Sequence, residues 1–311
     1  MRDAGPVLAV VLALLALWYV AAVPMNAQES VTIAERAGEP VQGGPAAERA
    51  TRGGLALAAL NPGPALRFAY VQERPRLPAP HQVAAELWRS TVGEPLLGRQ
   101  GSLSNRNLLT HVLITLSGTA LGFAIGSALG VLLAVGIVHS RSMDLGIMPW
   151  AVISQTVPIV ALAPMIIVVL ASVGLQGVLP KAVISAYLSF FPVVVGMAKG
   201  LRTPEPMTLD LLRTWNASRA QTFWRLRLPS SVPYLFASLK VGVTASLVGT
   251  IVGELPVQRG GLGTRMLVGS QFGNTAQIWA ALVAAGALAL LLVWAVGWAE
   301  RRTLRAMGAA P

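Results

Sequence analysis

The chain has 311 residues, 54% hydrophobic and 12% charged, with a net charge of +11. So apolar a chain is not a soluble domain, and its basic excess matches the Lys/Arg bias of cytoplasmic loops rather than nucleic-acid binding. With no cysteine and no G-x-x-x-x-G-K-S/T loop, thiol chemistry and P-loop ATP binding are excluded, and with only His81, His111 and His139 at unrelated spacings neither a His/Cys/carboxylate metal site nor a cofactor is expected.

Several apolar runs exceed the ~20 residues that cross a bilayer. The expected fold class is therefore an all-α polytopic membrane protein. Residues 1–26 carry the first run, 7–23, which is either a signal segment or, as favoured here, a retained N-terminal transmembrane helix. Residues 27–107 read as an extracytoplasmic insertion with an interfacial helix. The stretch 24–77 is rich in Pro, Gly, Ala, Glu and Arg and has no sustained periodicity, so loop or disorder is predicted. Within it, 55–60 is apolar but too short to span. Residues 82–91 read as an interfacial helix, with Val83, Leu87 and Ser90 on one side and Glu86 and Arg89 making it amphipathic.

Residues 108–311 hold the transmembrane core. The second span is 108–138, where Gly118, Gly122, Gly126 and Gly130 form a bare ridge at every fourth residue, a helix-packing surface. A short polar link over 139–149 leads to the third span, 149–173. Gln155, Thr156, Pro158 and Pro164 make that span a kinked helix, either lining a cavity or serving packing alone. The fourth span, 181–199, is predicted to break at Phe190, Phe191 and Pro192. The fifth, 231–255, carries Lys240 and, at its edge, Glu254, which reads as an interfacial carboxylate or a pathway group. A turn-rich loop over 253–263 precedes the last span, 278–299.

Between spans four and five, the loop 200–230 is polar and basic. Met207, Leu211, Leu212 and Trp215 share one helical face. Asn216 tolerates the left-handed turn that ends helices, and Ser218 with Gln221 forms a capping box that starts a second helix. Ala220, Phe223 and Trp224 lie on that helix, and Pro229 is predicted to close it. Read alone, such a pair suits either a protein partner or the lipid interface.

Charge sets the orientation. With the N-terminus inside, eleven Lys or Arg residues fall on inner segments: Arg2, Arg141, Lys199, Arg202, Arg213, Arg219, Arg225, Arg227, Arg301, Arg302 and Arg305. Only three, Lys181, Arg259 and Arg265, fall on short outer loops. Six spans follow, with both termini and the helix pair cytoplasmic.

A cytoplasmic helix–turn–helix at this place, ending in Leu228 and Pro229, resembles the inner-membrane permease of bacterial binding-protein-dependent ABC importers (type I). In that family the loop carries an E-A-A-x-x-x-G motif and docks on the ATPase subunit. The matching residues are Asp210, Leu211, Leu212, Arg213, Thr214, Trp215 and Asn216. Asp stands for Glu, two leucines for two alanines, and Asn for Gly. Further segments resemble the nitrate/sulfonate/taurine-like branch: Leu77-Pro78-Ala79-Pro80, Gln155-Thr156-Val157-Pro158, Leu162-Ala163-Pro164, Phe190-Phe191-Pro192, Gly200-Leu201-Arg202 and Gly260-Gly261-Leu262-Gly263.

The resemblance implies a coupling helix pair and a permease that is not itself an enzyme. It would lie in the bacterial inner membrane and form the pathway for a small solute. Implied partners are two copies of an ABC ATPase, a periplasmic or extracellular substrate-binding protein and a second permease chain in a homodimer, all within the lipid bilayer. ATPase contacts would fall on Asp210, Leu211, Leu212, Arg213, Trp215 and Asn216, and on Ala217, Arg219, Phe223, Leu228 and Pro229. Polar pathway candidates are Gln155, Pro158, Ser246, Thr250 and Glu254. The rival reading is an ion-coupled secondary transporter, but neither an internal repeat nor mid-span charges are found to support it.

Overall fold

In the computed structural model, residues 4–93, 107–257 and 259–308 are described, and these are mostly helical with no strand among them. Arg2 and Gln258 lie outside the described residues. Five helices are long and apolar enough to cross a membrane, or six if one bent pair is a single span. The chain divides into two compact units, residues 1–109 with 265–283 and residues 110–264 with 284–311.

In the first unit, helix α1 (Ala4–Arg36) runs straight through Pro24, well past the predicted end at Val23. Three short helices, α2 (Ala46–Thr51), α3 (Gly54–Leu60) and α4 (Pro62–Phe68), follow it. This corrects the loop-or-disorder reading of 24–77. Helices of six or seven residues are marginal alone, so tertiary bonds must hold them. Buried Asn26 donates to the carbonyls of Ala69 (3.1 Å) and Leu77 (2.9 Å) and accepts from the Leu77 amide (3.0 Å). Gln72 reaches the Asn26 carbonyl and the Ser30 hydroxyl. The Asn61 side chain bonds the backbone of Gln42 in both directions. These are single side chains crossing long sequence separations, a pattern with no periodicity to betray it.

Helix α5 (Pro80–Trp88) continues as a π-helical turn, Arg89–Gly93. Val83 and Ser90 face inward as expected, but so does Glu86, predicted on the polar side. Glu86 pairs with Arg89 at 2.7 Å and with Arg265 at 3.4 Å, and these partners make its burial tolerable.

The second unit is built on α6 (Leu108–His139), α7 (Arg141–Ser154), α8 (Ile159–Ser172), α9 (Val178–Leu201), α10 (Pro206–Thr214), α11 (Arg219–Thr222) and α12 (Leu228–Val257). Helices α13 (Leu262–Gln271) and α14 (Thr275–Ala306) complete the chain. Helix α9 packs extensively on α12.

Four expectations change here. The polar link over 139–149 is helical apart from Ser140, whose hydroxyl caps α7 by accepting from the Met143 amide (3.4 Å). The third span is not one kinked helix; α7 and α8 meet at 103°, with the break at 155–158. Pro158 lacks a donor and pushes Val157 away from the helical region, which explains the position of the break. The fourth span does not break, since Pro192 sits inside α9. Pro229 does not close a helix. It lies in the first turn of α12, where a missing N–H costs little, and the π-helical turn Phe223–Arg227 joins α11 to that span.

Candidate functional site

The helix pair at the junction of α9 and α12 is built on one backbone feature. Asn216 has φ 56°, alone among the described non-glycine residues in the left-handed region. Its amide donates to the Arg213 carbonyl (2.9 Å) and that of Ala217 to Leu212 (3.0 Å), which closes the end of α10. Ser218 and Gln221 then cap α11 reciprocally: the Gln221 amide donates to Ser218 Oγ (3.2 Å) and the Ser218 amide to Gln221 Oε1 (2.8 Å).

The side chains sort into two sets. Asp210, Leu211, Arg213, Trp215, Asn216 and Arg219 are exposed, as are Met207 and Trp224, with Trp215 72% exposed. Leu212, Ala217, Phe223, Leu228 and Pro229 are half-buried. Phe223 and Leu228 pack on a core of Ala134, Met197, Ala198 and Leu201. The Phe223 ring also meets His139 edge-on at 5.2 Å. Arg227 donates to the Leu201 carbonyl (3.3 Å), and Arg202 pairs with Asp144 (2.9 Å). One set therefore fixes the pair to its own spans, and the other is left to face outward.

Along the helices, the glycine ridge of α6 lies against α9. A side chain at Gly126 would meet the Ala186 carbonyl at 2.8 Å, and one at Gly130 the Phe190 carbonyl at 2.9 Å. Gly122 faces Ser185 and Ala182 just as closely, and Gly118 faces Thr250 and Lys181. The backbones thus approach closely enough for short polar side chains to reach across. Ser246 donates to the Thr119 carbonyl (3.1 Å), Thr119 to Thr250 Oγ1 (3.1 Å), and Ser185 to the Ser246 carbonyl (2.9 Å). Glu254, fully buried, accepts from Thr115 Oγ1 (2.9 and 3.1 Å) and from the Gly263 amide (2.9 Å). Lys181 Nζ lies 3.8 Å from its carboxylate. This corrects the interfacial reading of Glu254: the carboxylate does not snorkel to the interface but is enclosed.

Of the polar candidates, the structure brings Ser246, Thr250 and Glu254 together as one buried seam on α12. Gln155 and Pro158 stand apart, exposed at the α7–α8 break, where Tyr187 O–H donates to the Ser154 carbonyl. His111, Thr115, Thr119, Lys181 and Ser185 were not among the sequence candidates. A signal existed: His111–Thr115–Thr119, Lys181–Ser185–Ser189 and Ser246–Thr250–Glu254 each repeat at every fourth residue, one face of each helix.

Comparison with known proteins gives the family. Residues 126–305 match the family described as binding-protein-dependent transport system inner membrane component. A probable ABC transporter permease protein of Haemophilus influenzae is 29% identical over 209 residues, covering 67% of this chain and 84% of the relative. The riboflavin transport system permease protein RibX of Chloroflexus aurantiacus is 27% identical, covering 74% and 80%. The nitrate import permease protein NrtB of Synechococcus elongatus is 25% identical, covering 73% and 80%. The ion-coupled alternative has no such support. The chain belongs to the binding-protein-dependent transport inner membrane component family and is the permease subunit of an ABC importer, similar to its nitrate/sulfonate branch, with ATP hydrolysis residing on a separate chain.

Proposed function

We propose that two copies of this permease form the pathway and that each presents its α10–α11 pair to one of two ATPase chains on the cytoplasmic side. The insertion over 27–107 then faces outward, toward the substrate-binding protein, and both termini face inward. One observation carries the reading. The exposed Met207, Leu211, Trp215 and Trp224 sit on a bend that Phe223 and Leu228 anchor in the unit's own core. An apolar, aromatic and basic face held so firmly is suited to a groove in a partner, where a few residues dominate binding.

The solute is small and polar, within the range that the names of the relatives span. Gln155 and Pro158, exposed at the α7–α8 break, are the pathway residues favoured by geometry. Ser246 donates to the Thr119 carbonyl and Thr250 accepts from the Thr119 hydroxyl, so both act as scaffolding between spans.

The test is capture of the ATPase chain from detergent-solubilised membranes. Leu212→Asp places a charge at the base of the exposed face and is expected to leave the protein inserted while losing most of the ATPase. Full ATPase capture by this variant would remove the coupling role.

A further inference from the structure

The ends of α9 and α12 remote from the helix pair hold a buried polar cluster that the transport reading does not use. The loop at 260–263 is bonded to all three neighbouring helices of its unit. From α6, His111 Nδ1 accepts from the Gly261 amide (3.0 Å) and Thr115 Oγ1 accepts from the Leu262 amide (2.9 Å). From α9, Lys181 Nζ donates to the Gly260 carbonyl (3.0 Å). From α12, Glu254 Oε2 accepts from the Gly263 amide (2.9 Å). Leu262 is sealed beneath, 0% exposed. Gly261 has φ 113°, and a side chain there would strike the Glu254 carboxylate, so the loop is pressed directly on the charge.

We infer that Glu254 is a positioning residue: it latches the 260–263 loop across the ends of three spans, and this latch opens and recloses during the transport cycle. The inference rests on the permease reading, because the cycle is that of an ABC importer. An ionisable group enclosed among spans is a functional candidate with its partners named. Apolar residues of equal volume would hold these helices at least as well, so mere cohesion does not call for a carboxylate, a lysine and a histidine. Polar partners can be exchanged for water when the helix ends part, and glycine amides leave the loop free to follow. Glu254 is also the hub, since Thr115 both donates to it and accepts from the loop. Glutamine in its place would turn an NH₂ group toward one of two donors, Thr115 O–H or Gly263 N–H, and would unfasten one side.

The chain has no native cysteine, which makes single-cysteine labelling clean. Leu262→Cys reports the latch, exposed Arg259→Cys is the open control, and buried Val194→Cys, 0% exposed, reports the rest of the core. In proteoliposomes a water-soluble maleimide is expected to label Leu262→Cys about tenfold more slowly than Arg259→Cys. Adding Glu254→Gln, or the milder Thr115→Val, should raise Leu262→Cys labelling several-fold and leave Val194→Cys protected. With the ATPase chain bound, labelling of Leu262→Cys should differ between the nucleotide-free state and the ATP–vanadate state.

Unchanged protection of Leu262→Cys in both variants overturns the latch, and equal exposure of Val194→Cys shows general unfolding instead, which also overturns it. Identical labelling in the two nucleotide states overturns its opening. Failure of the ATPase chain to co-purify strikes the permease coupling itself. The Glu254→Gln arm needs no ATPase and decides the latch separately.

Discussion

The two ends of the α9–α12 pair solve opposite problems. At one end, Met207, Leu211, Trp215 and Trp224 are large, apolar and exposed. At the other, Lys181, Thr115 and Glu254 are polar or charged and enclosed. Each is costly by the ordinary rule that apolar groups go inside and charges go outside. On the proposed reading the first cost is removed by the ATPase partner; the second is met by hydrogen bonds within the chain. An exposed apolar face points to a partner, and a buried polar one to an internal contact that has to be specific.

Breaking the buried end should have the largest effect. Lys181→Met removes one partner of an enclosed pair, for which the loss is about 3–5 kcal/mol. The lower part of that range is expected, because Glu254 keeps Thr115 and Gly263. The double variant Lys181→Met/Glu254→Gln should recover part of the loss in thermal unfolding in detergent. Additive losses would mean that the two groups are uncoupled.

Next comes the ridge that lets the helices approach. Gly126→Leu overpacks the α6–α9 contact, at roughly 1–3 kcal/mol or more, and should lower the monodisperse yield. Gly126→Ala is expected to be milder yet not neutral, since even a single carbon meets the Ala186 carbonyl. Normal folding of the leucine variant would place the ridge elsewhere.

At the exposed end the effects on stability shrink while those on partnership grow. Asn216→Val puts a β-branched residue at φ 56°, at a cost on the order of 1–2 kcal/mol, and should reduce ATPase capture. Asn216→Gly should keep both stability and capture. The smallest effect belongs to Asp210→Asn: its pair with Arg213 is exposed, and the change in stability should stay within about 0.5 kcal/mol. If Asp210→Asn melts the protein, the exposed end is less independent of the core than its geometry indicates.

Local chemistry was legible wherever a residue acts on its own neighbours. Hydropathy alone identified the membrane-spanning character. Asn216 and the Ser218–Gln221 box located the bend because their bonds lie within a few residues, and the spacing of the glycines marked a packing face. Proline was less informative. Pro158 breaks its span, yet Pro24, Pro192 and Pro229 all lie within helices. One lost hydrogen bond does not decide a helix that is buried against neighbours or that has only just begun.

Composition by itself therefore determined that this chain crosses a membrane, and short-range pattern determined where its exposed helix pair turns. Only the tertiary structure decided the rest. The order of 24–77 depends on Asn26, Gln72 and Asn61 bonding to backbone far along the chain. The enclosure of Glu254 depends on Thr115, which is 139 residues away in sequence. A side chain's burial is set by what folds over it, and for these residues the covering group comes from a distant part of the chain that no local window contains.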